Sequence, residues 1–351
     1  MDEEVSGPVA RPGCGIDGSV SILNARIRPI VIIIIVALLL TLPAWGSDYV
    51  VFIVMLISVY IVLGQMWNLL AGYSGLVSLG LQMYIGLGAY TLAVVSNNFG
   101  MPLIPGLIMS GVVSTVVAVG LSYLLLRMKG MYFAIATWMF AEAMVLFIVQ
   151  FEFLGKGQGL FIVAARALTE TQKYYICVIL VLIVTVVMVI LLRSKLGLGL
   201  FAIRDNDTAA STSGVALFKT KLFVMMISSF FTGVAGGVYY IMQIWVHPHS
   251  SFSILTWTVA AVFIVVIGGI GTVIGPVVGG VIYVFLSQYL ATLSQIGALN
   301  MVILGGIAVA VIVVAPKGIV GTLQNRFNFE IISARRWMKA YTGKLPDPAA
   351  E

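Results

Sequence analysis

Residues 174–214 read YYICVILVLIVTVVMVILLRSKLGLGLFAIRDNDTAASTSG, and the change of character inside this stretch decides how the chain folds. Positions 174–192 carry no charged side chain. An α-helix rises about 1.5 Å per residue, so about 20 such residues cross a hydrocarbon layer roughly 30 Å thick. Arg193 and Lys195 then end the run. Arg204, Asp205 and Asp207 follow within four consecutive positions, in a chain of which only 9% is charged. A helix that leaves lipid and turns into a polar loop accounts for both halves, because an ionised side chain at the bilayer centre costs at least about 2.5–3.5 kcal/mol.

The same contrast recurs along the whole chain. Its 351 residues are 61% hydrophobic with a mean hydropathy of +1.11, far from the composition of a soluble domain with about a quarter of its residues charged. Apolar runs of spanning length fall at 29–45, 49–70, 76–96, 103–126, 131–151, 174–192, 220–243, 255–271, 273–291 and 300–315. The expected fold is therefore an all-α polytopic membrane protein of about ten transmembrane helices. Residues 1–28 form an N-terminal tail, 29–321 the transmembrane domain with a polar loop at 193–219, and 322–351 a basic C-terminal tail. The 76–96 run is rich in glycine and contains Ser78, Gln82 and Tyr84, so a broken or re-entrant helix along a polar path is expected there.

With ten crossings, sixteen of the nineteen Lys and Arg residues fall on one side; Lys156, Arg166 and Lys173 fall on the other. Loops held in the cytoplasm accumulate basic residues, which places both termini and the 193–219 loop in the cytosol. The net charge of +6 then follows from topology, and no nucleic-acid partner is needed to explain it. Asp2, Glu3 and Glu4 stand where a secretory signal would be basic, so the N-terminus reads as a retained cytosolic tail. Cys14 in that tail and Cys177 in an apolar run differ too much in environment to pair. The aromatic and basic stretch NRFNFEIISARRWMKAYTGK is expected at the inner membrane surface.

Little in the sequence supports catalysis. No phosphate-binding G-x-x-x-x-G-K-[ST] loop occurs, His247 and His249 have no third ligand beside them, and no nucleophile–base pair is visible. One ionisable residue lies well inside a crossing: Glu142, in MYFAIATWMFAEAMVLFIVQ. It is expected to face the bundle interior or a polar cavity, with Thr137, Trp138 or the 73–84 region as partner. Both a gate residue and a hydrogen-bonding hub fit it. In the polar loop, Asn206 or Asp207 supplies a helix start, Ala209 and Ala210 favour helix, and Gly214 stops it, so a short helix outside the membrane is expected.

Four blocks carry a family resemblance: GYSGLVSLGLQMYIGLGAYT (72–91), MYFAIATWMFAEAM (131–144), IRDNDTAASTSGVALFKTKLFVMMISSFFTGVAGGVYY (203–240) and PHSSFSILTWTVAAVFIVVIGGIGTVIGPVVGG (248–280). With the closing PKGIVG (316–321), they resemble the membrane subunits of bacterial branched-chain amino acid ABC importers, of the LivM type. The resemblance implies a permease that is not itself an enzyme. It sits as a multi-pass protein in the bacterial inner membrane and binds no cofactor; ATP and Mg belong to two ATP-binding partner subunits. A second, LivH-type permease subunit and a periplasmic substrate-binding protein complete the set, with lipid around it. The resemblance also makes 204–214 the coupling helix, with Arg204, Asp205, Asn206, Asp207, Ala209, Ala210 and Gly214 matching the motif. Gly75, Ser78, Gln82, Tyr84, Thr137 and Glu142 become candidates for the translocation path. The chain departs from the family at Leu81, where a histidine is frequent, and at Ala260, where an acid is common. The resemblance implies a branched-chain or other hydrophobic amino acid as cargo; the two departures loosen that transfer, since relatives also carry urea, aromatic acids and other small solutes. A self-sufficient secondary carrier, with 193–219 as a mere connection, is the alternative.

Overall fold

The computed structural model describes residue 34, residues 36–293, residues 302–303, 305–307, 309–310 and 313, and residues 318–327. The expected first and last crossings, and most of both tails, lie largely outside these. Residues up to Trp45 form a unit of their own. Within it 36–41 are helical, the Thr41 hydroxyl donates back to the Ala37 carbonyl at 3.0 Å, and a 3-10 turn, Leu42–Ala44, follows.

The second unit begins at Gly46. Its helices of six residues or more with assigned bounds are α1 (Asp48–Asn68), α2 (Leu81–Phe99), α3 (Leu103–Leu125), α4 (Met131–Gln150), α5 (Glu170–Arg193), α6 (Lys195–Asp205), α7 (Asp207–Thr212), α8 (Leu217–Gln243), α9 (Ala260–Gly268), α10 (Gly275–Leu293) and α11 (Gly318–Phe327). Wide π turns extend α1 through Leu69–Tyr73 and lead into α9 through Leu255–Val259. Six stretches are long and apolar enough to cross a membrane: Asp48–Tyr73, Leu103–Leu125, Met131–Gln150, Glu170–Arg193, Leu217–Gln243 and Pro248–Gly268. The protein is an all-α membrane protein; among the described residues the strands are a two-residue pair, β1 (Leu160–Phe161) and β2 (Trp245–Val246).

Local chemistry sets the helix ends. Thr169 and Gln172 form a reciprocal capping box at the start of α5, with Glu170 in the first turn and Arg193 in the last, so charges of the right sign sit at both poles of the helix dipole. The 76–96 run divides as its glycines suggested. Residues 75–80 are irregular and α2 starts only at Leu81. Every residue from Leu81 to Tyr90 is buried, so α2 is an internal element and not a lipid-facing rod. Around it pack α3 and α8, while α1 packs on α5, α8, α9 and α10.

Small residues make this packing possible. A Cβ on Gly88 would lie 1.9 Å from the Gly233 carbonyl oxygen, and one on Gly236 2.3 Å from that of Ile85. Gly88, Gly233 and Gly236 therefore serve backbone-to-backbone approach, as in other helix contacts within lipid. Because the obstacle is backbone and not a movable side chain, Gly88→Val should separate α2 from α8. Overpacking of this kind costs about 1–3 kcal/mol; the expected result is a smaller monodisperse fraction of detergent-solubilised protein by size-exclusion chromatography.

Loops of this unit collect in two clusters. At one, Asn97 Nδ2 donates to the Phe161 carbonyl at 2.6 Å, its Oδ1 accepts from Val163 N–H, and β1 pairs with β2. At the other lie residues 73–76, 126–130, 203–221 and 271–272.

Candidate functional site

The α6–α7 end holds a cavity of about 590 Å³ lined by Ser74–Leu76, Leu126, Met128–Gly130, Ile203–Thr208, Ser211 and the start of α8. Its floor is built by α6 and α7. The Asn206 backbone is extended (φ −162°, ψ 112°) and its side-chain oxygen accepts from Thr208 N–H at 2.9 Å and Ala209 N–H at 3.2 Å, an amide cap on the exposed donors of the helix start. α7 then runs Asp207–Thr212, and Gly214 takes the left-handed conformation (φ +84°) that stops it. These bounds match the expected short helix.

A second helix precedes it. Residues 195–205 form α6, an 11-residue helix, where a short helix at 206–214 alone was expected in the loop. Ser194 caps it, accepting from Leu196 N–H at 3.2 Å. Arg204 and Asp205 thus end α6, while Asn206, Asp207, Ala209 and Ala210 belong to α7 and its cap; the residues matched to one coupling helix are split over two. Gly197 and Gly199 sit within the segment, and glycine weakens an isolated helix by about 1 kcal/mol. Packing overrides that penalty: Gly197, Leu200 and Ile203 are buried.

α7 is fixed on one side and free on the other. Ala210 is 2% exposed, and the Lys221 ammonium at the start of α8 binds both Asp207 carboxylate oxygens at 2.8–2.9 Å. Thr208, Ala209, Ser211 and Thr212 are exposed. Behind it, the Arg204 guanidinium donates to the Gly72 carbonyl at 2.6 Å. A Cβ on Gly271 would meet the same guanidinium at 2.7 Å. Asn68 closes the junction: its Nδ2 donates to the Thr272 carbonyl at 2.8 Å and its Oδ1 accepts from Gly271 N–H at 2.8 Å. One cluster therefore joins the end of α1, the end of α6 and the turn between α9 and α10.

Asn68 and Thr272 did not stand out in the sequence. The available signal was an amide near the end of the apolar 49–70 run, where an unpaired polar group is costly. Asn68→Leu leaves two backbone groups without partners at about 1–3 kcal/mol each. A lower midpoint in a detergent thermal-unfolding assay is expected.

Four of the six path candidates meet around the irregular 75–80 segment. Gly75 (φ +71°) lines the cavity. The Ser78 carbonyl accepts from Trp67 Nε1 at 2.9 Å, and the Thr137 hydroxyl accepts from Leu79 N–H at 3.0 Å, so non-helical backbone inside the protein finds partners as the membrane requires. Gln82 is fully buried and its side-chain oxygen accepts from the Thr258 hydroxyl, in the π turn before α9; its Nε2 has no partner among the described residues. Leu81 and Ala260, the two departures from the family pattern, are buried beside this contact. Tyr84 lies along α2 and its carbonyl accepts from the Ser114 hydroxyl at 3.2 Å.

Glu142 stands apart, and here the expectation of an inward carboxylate is corrected. It is on the exposed face of α4, where Trp138 Nε1 donates to its Oε1 at 3.0 Å. Thr137 occupies the inward face of the same helix, and the helical turn carries Trp138 and Glu142, four residues apart, to the outward one. At the β1–β2 end a second cavity, of about 460 Å³, is lined by Tyr239, Tyr240, Gln243, Trp245, His247, Ser250, Thr256 and Trp257.

Residues 49–312 match the family described as branched-chain amino acid transport system / permease component. The high-affinity branched-chain amino acid transport system permease proteins LivM of Salmonella typhimurium and Escherichia coli are each 27% identical over 319 residues, 81% of this chain and 74% of the relative. A probable branched-chain amino acid transport permease protein LivH of Methanocaldococcus jannaschii is 32% identical over 135 residues, 37% of this chain and 42% of the relative. No solved structure gives a significant match. The four motif blocks fall inside the matched region, and three of them supply Gly72, Arg204, Gly271 and Thr272 to the junction; the chain belongs to the branched-chain amino acid transport permease family and resembles its LivM members over most of its length.

Proposed function

We propose that this chain is the LivM-type permease subunit of an ATP-binding cassette importer for branched-chain or other hydrophobic amino acids. It forms the path together with a second, LivH-type permease, crosses the bacterial inner membrane about ten times and keeps both termini in the cytosol. Two ATP-binding subunits, which hold the ATP and Mg, dock on the α6–α7 end. A periplasmic binding protein delivers substrate at the β1–β2 end, where the aromatic cavity suits an apolar side chain. One observation carries this reading: the blocks 68–80, 203–208 and 269–275 meet in one junction directly behind an exposed, capped and ion-paired short helix. A push on α7 then reaches α1, α6, α9 and α10 as a rigid displacement, the kind of shift that packed elements transmit. Gly75, Ser78, Gln82, Tyr84 and Thr137 lie in or against the 75–80 segment and α2 and are proposed to shape the inner mouth.

The test is leucine uptake into proteoliposomes. With both permeases, the ATPases, the binding protein and ATP, uptake is expected; with this chain alone under an ion gradient, none is expected. Gradient-driven uptake by the chain alone would instead establish the secondary-carrier alternative.

A further inference from the structure

Helix α4 presents two unlike faces. Phe133, Ala134, Thr137, Ala141, Val145 and Ile148 are buried at the spacing of one helical stripe. The opposite stripe is exposed, with Met139 66% and Leu146 68% accessible, and only 33% of the spanning window is buried. Glu142 lies in the middle of that exposed stripe. At about 1.5 Å per residue it is roughly 16 Å from the Met131 end and 12 Å from the Gln150 end, close to the centre of a hydrocarbon layer of about 30 Å.

The outward faces of the neighbouring long helices are different. α3 exposes Ile104, Ile108 and Val116, and α5 exposes Ile179, Ile183 and Ile190, residues that lipid solvates without cost. Lipid chains offer no donor to a carboxylate, and the Trp138 indole supplies one hydrogen bond to a group with room for about four. An ionisable side chain at this depth belongs inside protein. A concavity of about 490 Å³, lined by Arg127, Lys129, Tyr132, Ile135 and Met139, opens on the same face, so the surface has relief as well as charge.

We infer that the exposed face of α4 is the contact surface for the second permease subunit, whose facing helix presents a cationic or hydrogen-bond-donating side chain to Glu142 at mid-membrane depth. This rests on the proposed two-permease importer. A second copy of this chain fits poorly. A two-fold contact uses the same patch on both partners, and α4 against α4 would bring two Glu142 carboxylates together in a medium of low dielectric constant.

The experiment is a photo-crosslink in the full complex in native membranes, with p-benzoylphenylalanine replacing Met139, and replacing Ile183 on α5 as the lipid-facing control. Position 139 is expected to give an adduct with the second permease, identified by mass spectrometry, and position 183 none. Glu142→Lys is expected to lower recovery of the second permease about tenfold, and Glu142→Gln, which keeps hydrogen bonding, by less than about threefold. An adduct of the chain with itself, or co-purification of the second permease without any adduct at 139, overturns the surface assignment while the importer reading stands. Full recovery with Glu142→Lys overturns the role of the carboxylate. Absence of any second permease from the complex overturns the importer reading as well.

Discussion

Replacing Arg204 with alanine is expected to cut ATP-driven uptake roughly thirtyfold while the ATP-binding subunits stay attached. The guanidinium is the link between α6 and the carbonyl of Gly72, at 2.6 Å, and a hydrogen bond from a charged donor contributes about 1.5–3 kcal/mol. Loss of about 2 kcal/mol changes the docked-to-undocked ratio of α6 against α1 by roughly thirtyfold. α7 itself is untouched: its cap is Asn206, its ion pair is Asp207 with Lys221, and neither uses Arg204. Binding of the partners and transmission of their motion should therefore separate in this variant. The measurement is uptake in proteoliposomes beside the stoichiometry of ATPase subunits on affinity-purified complexes. Equal loss of both would place Arg204 in the docking surface instead.

The second large effect is expected from charge reversal at both Asp205 and Asp207. Asp207 binds Lys221, with the two side chains 33% and 14% exposed; replacing it with lysine sets two ammonium groups against each other where an ion pair stood. It also puts a positive charge on the first turn of α7, the pole that favours anions. Each term is about 1 kcal/mol in a partly solvated setting, too little to unfold a bundle with this much buried surface but enough to release α7 from α8. Both uptake and ATPase co-purification are expected to fall by about tenfold or more, and compensating Lys221→Asp in the Asp207→Lys background should recover part of the loss. Unchanged values in both assays would remove the coupling role.

The parts of the fold that depend on length and composition were readable from the chain. Uninterrupted apolar runs such as 103–126 and 174–192 appear as α3 and α5 within a few residues, because nothing but a helix satisfies its backbone in lipid. The short helix at Asn206–Gly214 was legible for a local reason: its cap and its stop are neighbours in sequence. The Asn68–Gly271 and Arg204–Gly72 contacts were not, since they join residues more than 100 positions apart, and single-residue polarity says nothing of partner. α6 was not legible: the cost of Gly197 and Gly199 is offset by burial that only the assembled bundle supplies. Glu142 shows the opposite limit: its place in the middle of a crossing was legible, but the side of α4 that it takes was not, since the stretch 131–151 is apolar on both faces and the buried stripe is set by the elements packed on Thr137.

The most direct test of the coupling role is a photo-crosslink from Thr208, exposed on α7, in inside-out membrane vesicles carrying the complete complex. An adduct with an ATP-binding subunit, whose yield changes between nucleotide-free and ATP-bound conditions, is expected. Labelling of the same position by an impermeant reagent from the periplasmic side, or an adduct with no nucleotide-hydrolysing partner, would contradict it.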